Sequence, residues 1–279
     1  MSTNVALRRP GTAGKQLWSQ GFFLNVVDDD PAPIAELLAR SADLDQIGHV
    51  EIWLERVPET PAQSSRLAKL LSGRRVVVHA PFVGISLVGP AKELRLASEM
   101  RLARAHSVAC DLGAELITMH SGPAFFRTER SEAHDRLAES LTRLGAANSD
   151  GPAITIENMA VRRGVTYEPV VEPADFAELL SRVPNLRITL DVGHAIQSGI
   201  NPRAFFREHG PLIGNIHLHD GVAGGRAHLA LGDGQLDLPS LAPDLDRYSG
   251  FVGIEVFAWE GVVTSWPAAR MLRSVERRR

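Results

Sequence analysis

Eight residues able to bind protons or metal ions stand at or near the C-terminal ends of short apolar runs. They are His79 in RVVVHA, His120 in LITMHSG, Glu157 in AITIENM, Asp191 and His194 in RITLDVGH, His217 and His219 in GNIHLHD, and Glu255 in VGIEVF. An ionised carboxylate at the end of a buried strand needs a partner, because desolvating it alone is very costly. Taken singly, a histidine in such a place is more often a hydrogen-bonded structural residue than a ligand. Taken together, six successive runs ending in His, His, Glu, Asp, His and Glu are hard to explain structurally. Carboxylates and imidazoles converging on one point make a metal site, since a cation offsets the repulsion among like charges.

The elements that must position them alternate regularly. The apolar runs cover 21–26, 49–55, 75–80, 116–122, 153–159, 187–194, 214–220 and 252–257. Each is nearly continuous in apolar character, as parallel strands buried on both faces are. Helical patterns lie between them. AKELRLASEMRLARAHSVACDLG ends on Gly113 as a C-cap, SEAHDRLAESLTRLGAAN starts at a capping Ser131, and EPADFAELLSRVP is closed by Pro184. Strand–helix alternation repeated eight times implies an α/β fold with a parallel sheet, and the length fits a closed (β/α)8 barrel of about 250 residues. The strand C-termini of such a barrel converge on one mouth. Residues 17–279 are expected to form this one domain, after a disordered segment at 1–16. The basic tail RSVERRR reads as a solvated terminus. The helix after the last strand looks short, with TSWPAARMLRSVERRR as its only candidate, which would leave barrel wall for a partner subunit.

Composition narrows the classes further. The 279 residues are 44% hydrophobic and 23% charged, with a net charge of -3, so no polyanion partner is advertised, although a basic groove can hide in a neutral total. The single cysteine, Cys110, excludes an internal disulfide and reads as a small buried residue of a helix. No signal-peptide pattern and no apolar run of membrane-spanning length is present, so the expected location is the cytoplasm. GTAGKQ lacks the setting of a phosphate loop, and no GxGxxG follows a strand.

The motifs VVVHAP, ITMHSG, ITIENM, ITLDVGHA, NIHLHD, RAHLALGDGQLD and GIEVF together resemble the xylose isomerase-like TIM barrels, from about residue 20 to 257. That group includes the sugar phosphate isomerase/epimerase and endonuclease IV (AP endonuclease family 2) families. The resemblance implies a core metal held by Glu157, Asp191, His217 and Glu255. For the endonuclease IV branch it implies a second metal on His79 and His120, sharing Glu157, and a third on His194, His228 and an aspartate. Arg226 occupies that aspartate position, and a permanent cation is no ligand. Arg226 is therefore expected either to bind an anionic substrate group or to be a surface residue. His219 is expected to contact substrate, to support a ligand, or to be structural, and Asp220 to orient a histidine.

The leading expectation is an isomerase or epimerase of a sugar-like hydroxy-carbonyl compound. One or two divalent ions (Mn, Zn, Co, Mg or Fe) would polarise the carbonyl, Glu157 and Glu255 would move protons, and His194 would position an oxygen. The alternatives are an endonuclease IV-like hydrolase of abasic DNA, a multinuclear iron oxidative enzyme and a non-catalytic ligand-binding barrel. His79 and His120 favour the hydrolase; Arg226 and the mixed, partly acidic ERVPETPAQ loop argue against nucleic acid. A homo-oligomer is a further expectation without a visible interface.

Overall fold

Eight parallel strands close on themselves, and each falls where an apolar run stands in the sequence. A computed structural model describes residues 18–25, 32–125, 130–147, 151–161, 164 and 166–274. The barrel strands are β1 (Ser19–Asn25), β2 (His49–Trp53), β3 (Val76–His79), β4 (Leu116–Met119), β6 (Ala153–Glu157), β8 (Arg187–Asp191), β9 (Ile213–Leu218) and β10 (Phe251–Ile254). Their order round the barrel is β1-β10-β9-β8-β6-β4-β3-β2. A two-residue antiparallel pair, β5 (Ala124–Phe125) with β7 (Thr166–Tyr167), lies outside the barrel and was not apparent from the sequence.

The helices are α1 (Ala32–Arg40), α2 (Pro61–Leu70), α3 (Lys92–Asp111), α4 (Arg130–Ala147), α5 (Pro173–Arg182), α6 (Val192–Gln197), α7 (Arg203–His209), α8 (Ala242–Leu245) and α9 (Trp259–Ser274). Their ends have local causes. Thr60 and Gln63 form a capping box at the start of α2. Gly113, at φ 65°, ends α3 with its N–H on the Cys110 carbonyl, as expected of a glycine past a helix end. Apolar side chains between strands and helices form the main core, and Val77, Leu116 and Phe251 form a separate plug. Among the described residues no helix is long and apolar enough to cross a membrane.

Several expectations need correction. Ser131 lies inside α4, which already starts at Arg130, where the side chain pairs with Asp175. The run at 187–194 is strand only to Asp191; its last three residues begin α6, because an Asp191 oxygen accepts the His194 N–H and caps that helix. Cys110 is exposed, on the outer face of the last turn of α3. The final helix is not short: α9 starts at Trp259, and Trp259 and Trp266 pack edge-on against Phe22 of β1. The chain itself therefore covers the wall beside β1. Residues 1–17 and 275–279, with the disorder expected of 1–16 and the end of the basic tail, lie outside the described residues.

Candidate metal centre

Side chains alternate across a strand, so every second residue points into the barrel. Above the Val77, Leu116 and Phe251 plug sits a polar level. The hydroxyl oxygen of Thr189 is 2.8 Å from that of Thr118 and 2.6 Å from that of Thr155. The Asn215 amide donates to Glu51 Oε2 at 3.0 Å. Two residues further along their strands, toward the mouth, stand His120, Glu157, Asp191 and His217. His79 and Glu255 join them from β3 and the end of β10. The sequence placed all of these at strand ends, and the barrel brings them together.

Glu157, Asp191, His217 and Glu255 are all buried and offer ligand atoms that lie within 4.8 Å of one another. His217 Nδ1 is 3.1 Å from Glu255 Oε2, 3.4 Å from Glu157 Oε2 and 4.0 Å from Asp191 Oδ2. Neither His217 Nδ1 nor Glu255 Oε2 makes an aligned hydrogen bond, although they lie 3.1 Å apart and both are buried. Buried polar atoms are rarely left this way without a reason, and an ion between them is one. The residues fit a divalent cation with nitrogen and oxygen ligands.

A second group shares Glu157. His79 Nδ1 donates to the Ala80 carbonyl at 2.8 Å, which turns Nε2 and its lone pair inward. That Nε2 is 3.1 Å from His120 Nε2 and 3.4 Å from Glu157 Oε2, and His120 Nε2 is 3.1 Å from the same oxygen. Ligands about 2.0–2.1 Å from a tetrahedral ion stand roughly 3.4 Å apart. This trio fits a second cation.

The third histidine cluster fits less well. His219, His228 and Glu255 are close enough together, but the two imidazoles stack at 4.2 Å and 25°. Stacked rings carry their in-plane lone pairs side by side and do not converge on one ion. His219 Nδ1 also accepts the backbone N–H of His228 at 2.9 Å, and its Nε2 is 2.9 Å from Asp191 Oδ2. His219 is fully buried and acts behind Asp191, away from the cavity. His194 and His228 cross at 5.3 Å and 89°, and Arg226 is exposed and does not line the cavity. Asp220 orients no histidine with its carboxylate. That group accepts the N–H groups of Gly221, Gly232 and Leu236 and so holds the LGDGQLD loop. Gly234 is required there, since a Cβ would stand 2.3 Å from Asp220 Oδ1.

The cluster calls for positive charge. Burial disfavours a charged His217, yet Glu255, Glu157 and Glu51 outweigh it and hold its pKa well above the ordinary value. For His194, burial is likewise outweighed, by Asp191, Glu157 and Glu255, and its pKa rises to about 10. Burial pushes Glu157 up, but His120 and His217 draw it well below the usual carboxylate range. In the metal-free protein protons supply that charge; a bound cation would compete for the same places.

The cavity over the cluster measures about 150 Å³ and is walled by Phe23, Trp53, Phe82, Met159 and Phe257. Trp53 and Phe82 stack at 5.0 Å, and Phe82 in turn stacks on His120 at 4.9 Å. No Lys or Arg lines it among the described residues. A larger hollow of about 240 Å³, lined by Tyr167, Glu168, Asp175 and Ser198, shares no residue with the cluster. The aromatic wall and Glu51 escaped the sequence reading. Their signal was an inward parity: Phe23 shares it on β1, as do Glu51 and Trp53 on β2.

The chain is similar to an uncharacterised protein of Methanocaldococcus jannaschii, with 27% identity over 183 residues, 65% of this chain and 70% of that one. Its fold is similar to that of a D-tagatose 3-epimerase-like protein (TM-score 0.78, 22% identity, 92% of this chain and 97% of that one). It is also similar to a Thermus thermophilus protein whose crystals were soaked with zinc chloride (TM-score 0.74, 24% identity, 94% and 100% covered). Endonuclease IV from the same organism aligns with TM-score 0.67 and 22% identity, covering 92% and 99%. The family model for xylose isomerase-like TIM barrels matches residues 38–275. With the closed barrel and the cluster at its strand ends, that match makes the chain a member of the xylose isomerase-like TIM barrel family.

Proposed function

We propose that the protein is a divalent-metal-dependent isomerase or epimerase of a small, uncharged hydroxy-carbonyl compound of the sugar class. The observation that carries this reading is the pair Glu157 and Glu255. They come from β6 and the end of β10, on different sides of the barrel, and both reach His217 Nδ1 at the floor of an aromatic-walled cavity. Two carboxylates placed this way can remove a proton from one face of a carbon next to a carbonyl and return one to the other face.

Glu157, Asp191, His217 and Glu255 would hold the ion, which would polarise the substrate carbonyl and acidify the adjacent C–H. The chain's own residues supply the rest. Glu255 is the freer base, because one histidine, His217, stands within 3.5 Å of its Oε2, whereas Glu157 is engaged at that range by His79, His120, His194 and His217. His194 lines the cavity and would hold a substrate oxygen. Phe23, Trp53, Phe82 and Phe257 exclude water from the reacting carbon and offer apolar faces to sugar C–H groups. A lining without Lys or Arg among the described residues favours an uncharged substrate over a phosphorylated one. Arg226 would then stay outside the binding site.

Hydrolysis of a phosphodiester at an abasic site is the second reading. The His79–His120–Glu157 trio favours it, since a one-ion isomerase does not need that group. DNA binding needs several basic phosphate contacts, which the described cavity lining does not provide.

Wash-in of solvent deuterium into ketoses tests the proposal. Metal-loaded protein should exchange the hydrogen next to the carbonyl, and Glu255→Gln should lower that rate by about 10²-fold or more. Exchange at the wild-type rate in both Glu255→Gln and Glu157→Gln contradicts the assignment. Cleavage of abasic duplex DNA without exchange replaces it with the second reading.

A further inference from the structure

Glu51 lies in the middle of β2 and is fully buried. A carboxylate there is expensive unless paired. Its Oε1 is 3.2 Å from His217 Nε2 and its Oε2 accepts the Asn215 amide at 3.0 Å. The ion pair it makes among the described residues is the one to His217. Gly253 on β10 leaves the room, since a Cβ there would stand 3.3 Å from Oε2.

The two nitrogens of His217 face different surroundings. Nδ1 looks up at Glu157, Asp191 and Glu255, and Nε2 looks down at Glu51 and Asn215. A neutral imidazole carries one proton, so it ligates through Nδ1 only when that proton sits on Nε2. Asn215 alone would favour the wrong form. Its Oδ1 is fixed by the Ile216 N–H at 3.0 Å, which turns its amide NH₂ toward His217 Nε2 at 3.1 Å, a donor seeking a lone pair. Glu51 reverses this by taking the Asn215 amide onto Oε2 and presenting Oε1 to a proton on Nε2. Phe23, edge-on to the ring at 4.8 Å and 86°, limits its rotation.

We propose that Glu51 is a positioning residue that fixes the Nε2–H form of His217 and so aims the Nδ1 lone pair at the metal. This rests on the reading of Glu157, Asp191, His217 and Glu255 as the metal's ligands. It makes Glu51 a determinant of metal affinity from one strand level below the ion. Partners of this kind on a ligating histidine typically alter affinity 10–100-fold.

The test is titration of the metal-free protein with Co²⁺, followed by its visible absorption, in wild type and in Glu51→Gln. Gln keeps the shape and removes the charge. Affinity should fall at least about tenfold, with a changed Co²⁺ spectrum, and the melting temperature of the metal-free variant should fall as well, because buried His217 loses one partner of its pair. A residue that only supports the fold would lower the melting temperature and leave affinity alone. Nitrogen-15 spectra of histidine-labelled, Zn²⁺-loaded wild type give an answer that does not depend on the variant folding. They should show the His217 proton on Nε2. Wild-type affinity in Glu51→Gln, or a proton on Nδ1 in the loaded protein, overturns the proposal. Wild-type protein that takes up no Co²⁺ removes the metal reading and this proposal together. Normal metal binding without deuterium exchange removes only the isomerase reading.

Discussion

Protons and the proposed metal ions would compete for the same atoms at the candidate site, which gives its charged residues a definite pH signature. The folded pKa of His194 is raised from 6.5 to about 10, and those of His217, His219 and His79 are raised as well. A raised pKa stabilises the fold fully below the unfolded value near 6.5 and less as pH climbs through the folded value. Glu157 and Glu255 are shifted below 4.5, so their contribution is present above about 4.5 and lost as pH falls through the folded values. The stability that these groups lend the metal-free protein should therefore be greatest between about pH 4.5 and 6.5 and be lost steadily toward pH 10, opposed below pH 6.5 by His49, His106 and His228, whose pKa values burial lowers. Metal-loaded protein should show the opposite slope above pH 6, since binding displaces protons and strengthens as they leave. Melting curves in chelator and in excess Zn²⁺ at pH 6 and 9 check this. Parallel curves in the two conditions would mean that the histidines do not hold the ion.

Barrel strands and short glycine segments set the geometry at the next scale. Gly193, in the first turn of α6, gives way to His219: a Cβ there would stand 1.9 Å from Cε1 and 2.0 Å from Nδ1. Gly193→Ala should cost about 1–3 kcal/mol by overpacking and weaken metal binding by displacing the His219 contact to Asp191. Gly145→Ala, in α4 where nothing lies within 4 Å, should be neutral or stabilising by up to about 1 kcal/mol. Urea unfolding of both variants separates the two, and equal effects would contradict the packing argument. The eight strands and six of the converging groups were legible in the sequence because a buried parallel strand is a continuous apolar run, and a charge at its end stands out. Glu51 was not, because it interrupts a run at mid-strand and its partner, 166 positions along the chain, meets it only once the barrel closes. The start of α6 was hidden for a related reason: VGH continues the apolar character of β8, and only the capping contact of Asp191 turns the chain. At α9, packing of Trp259 and Trp266 on β1 sustains a helix through Pro267, against local preference.

At the scale of the molecule, the closed barrel converts residues scattered from 23 to 257 into one stack: apolar plug, hydroxyl and amide level, ligand cluster, aromatic cavity. The xylose isomerase-like family supplies that architecture, and the proposal of a small uncharged substrate rests on a cavity lining without Lys or Arg among the described residues. Everything proposed for the site depends on cations being held there, so metal content is the most direct measurement. Elemental analysis of the purified protein, as isolated and after reconstitution, should find one divalent ion per chain, or two if the His79–His120–Glu157 trio is also filled. His120→Ala should cap the number at one while leaving the first ion in place. No bound metal in the wild type under either condition would contradict the account.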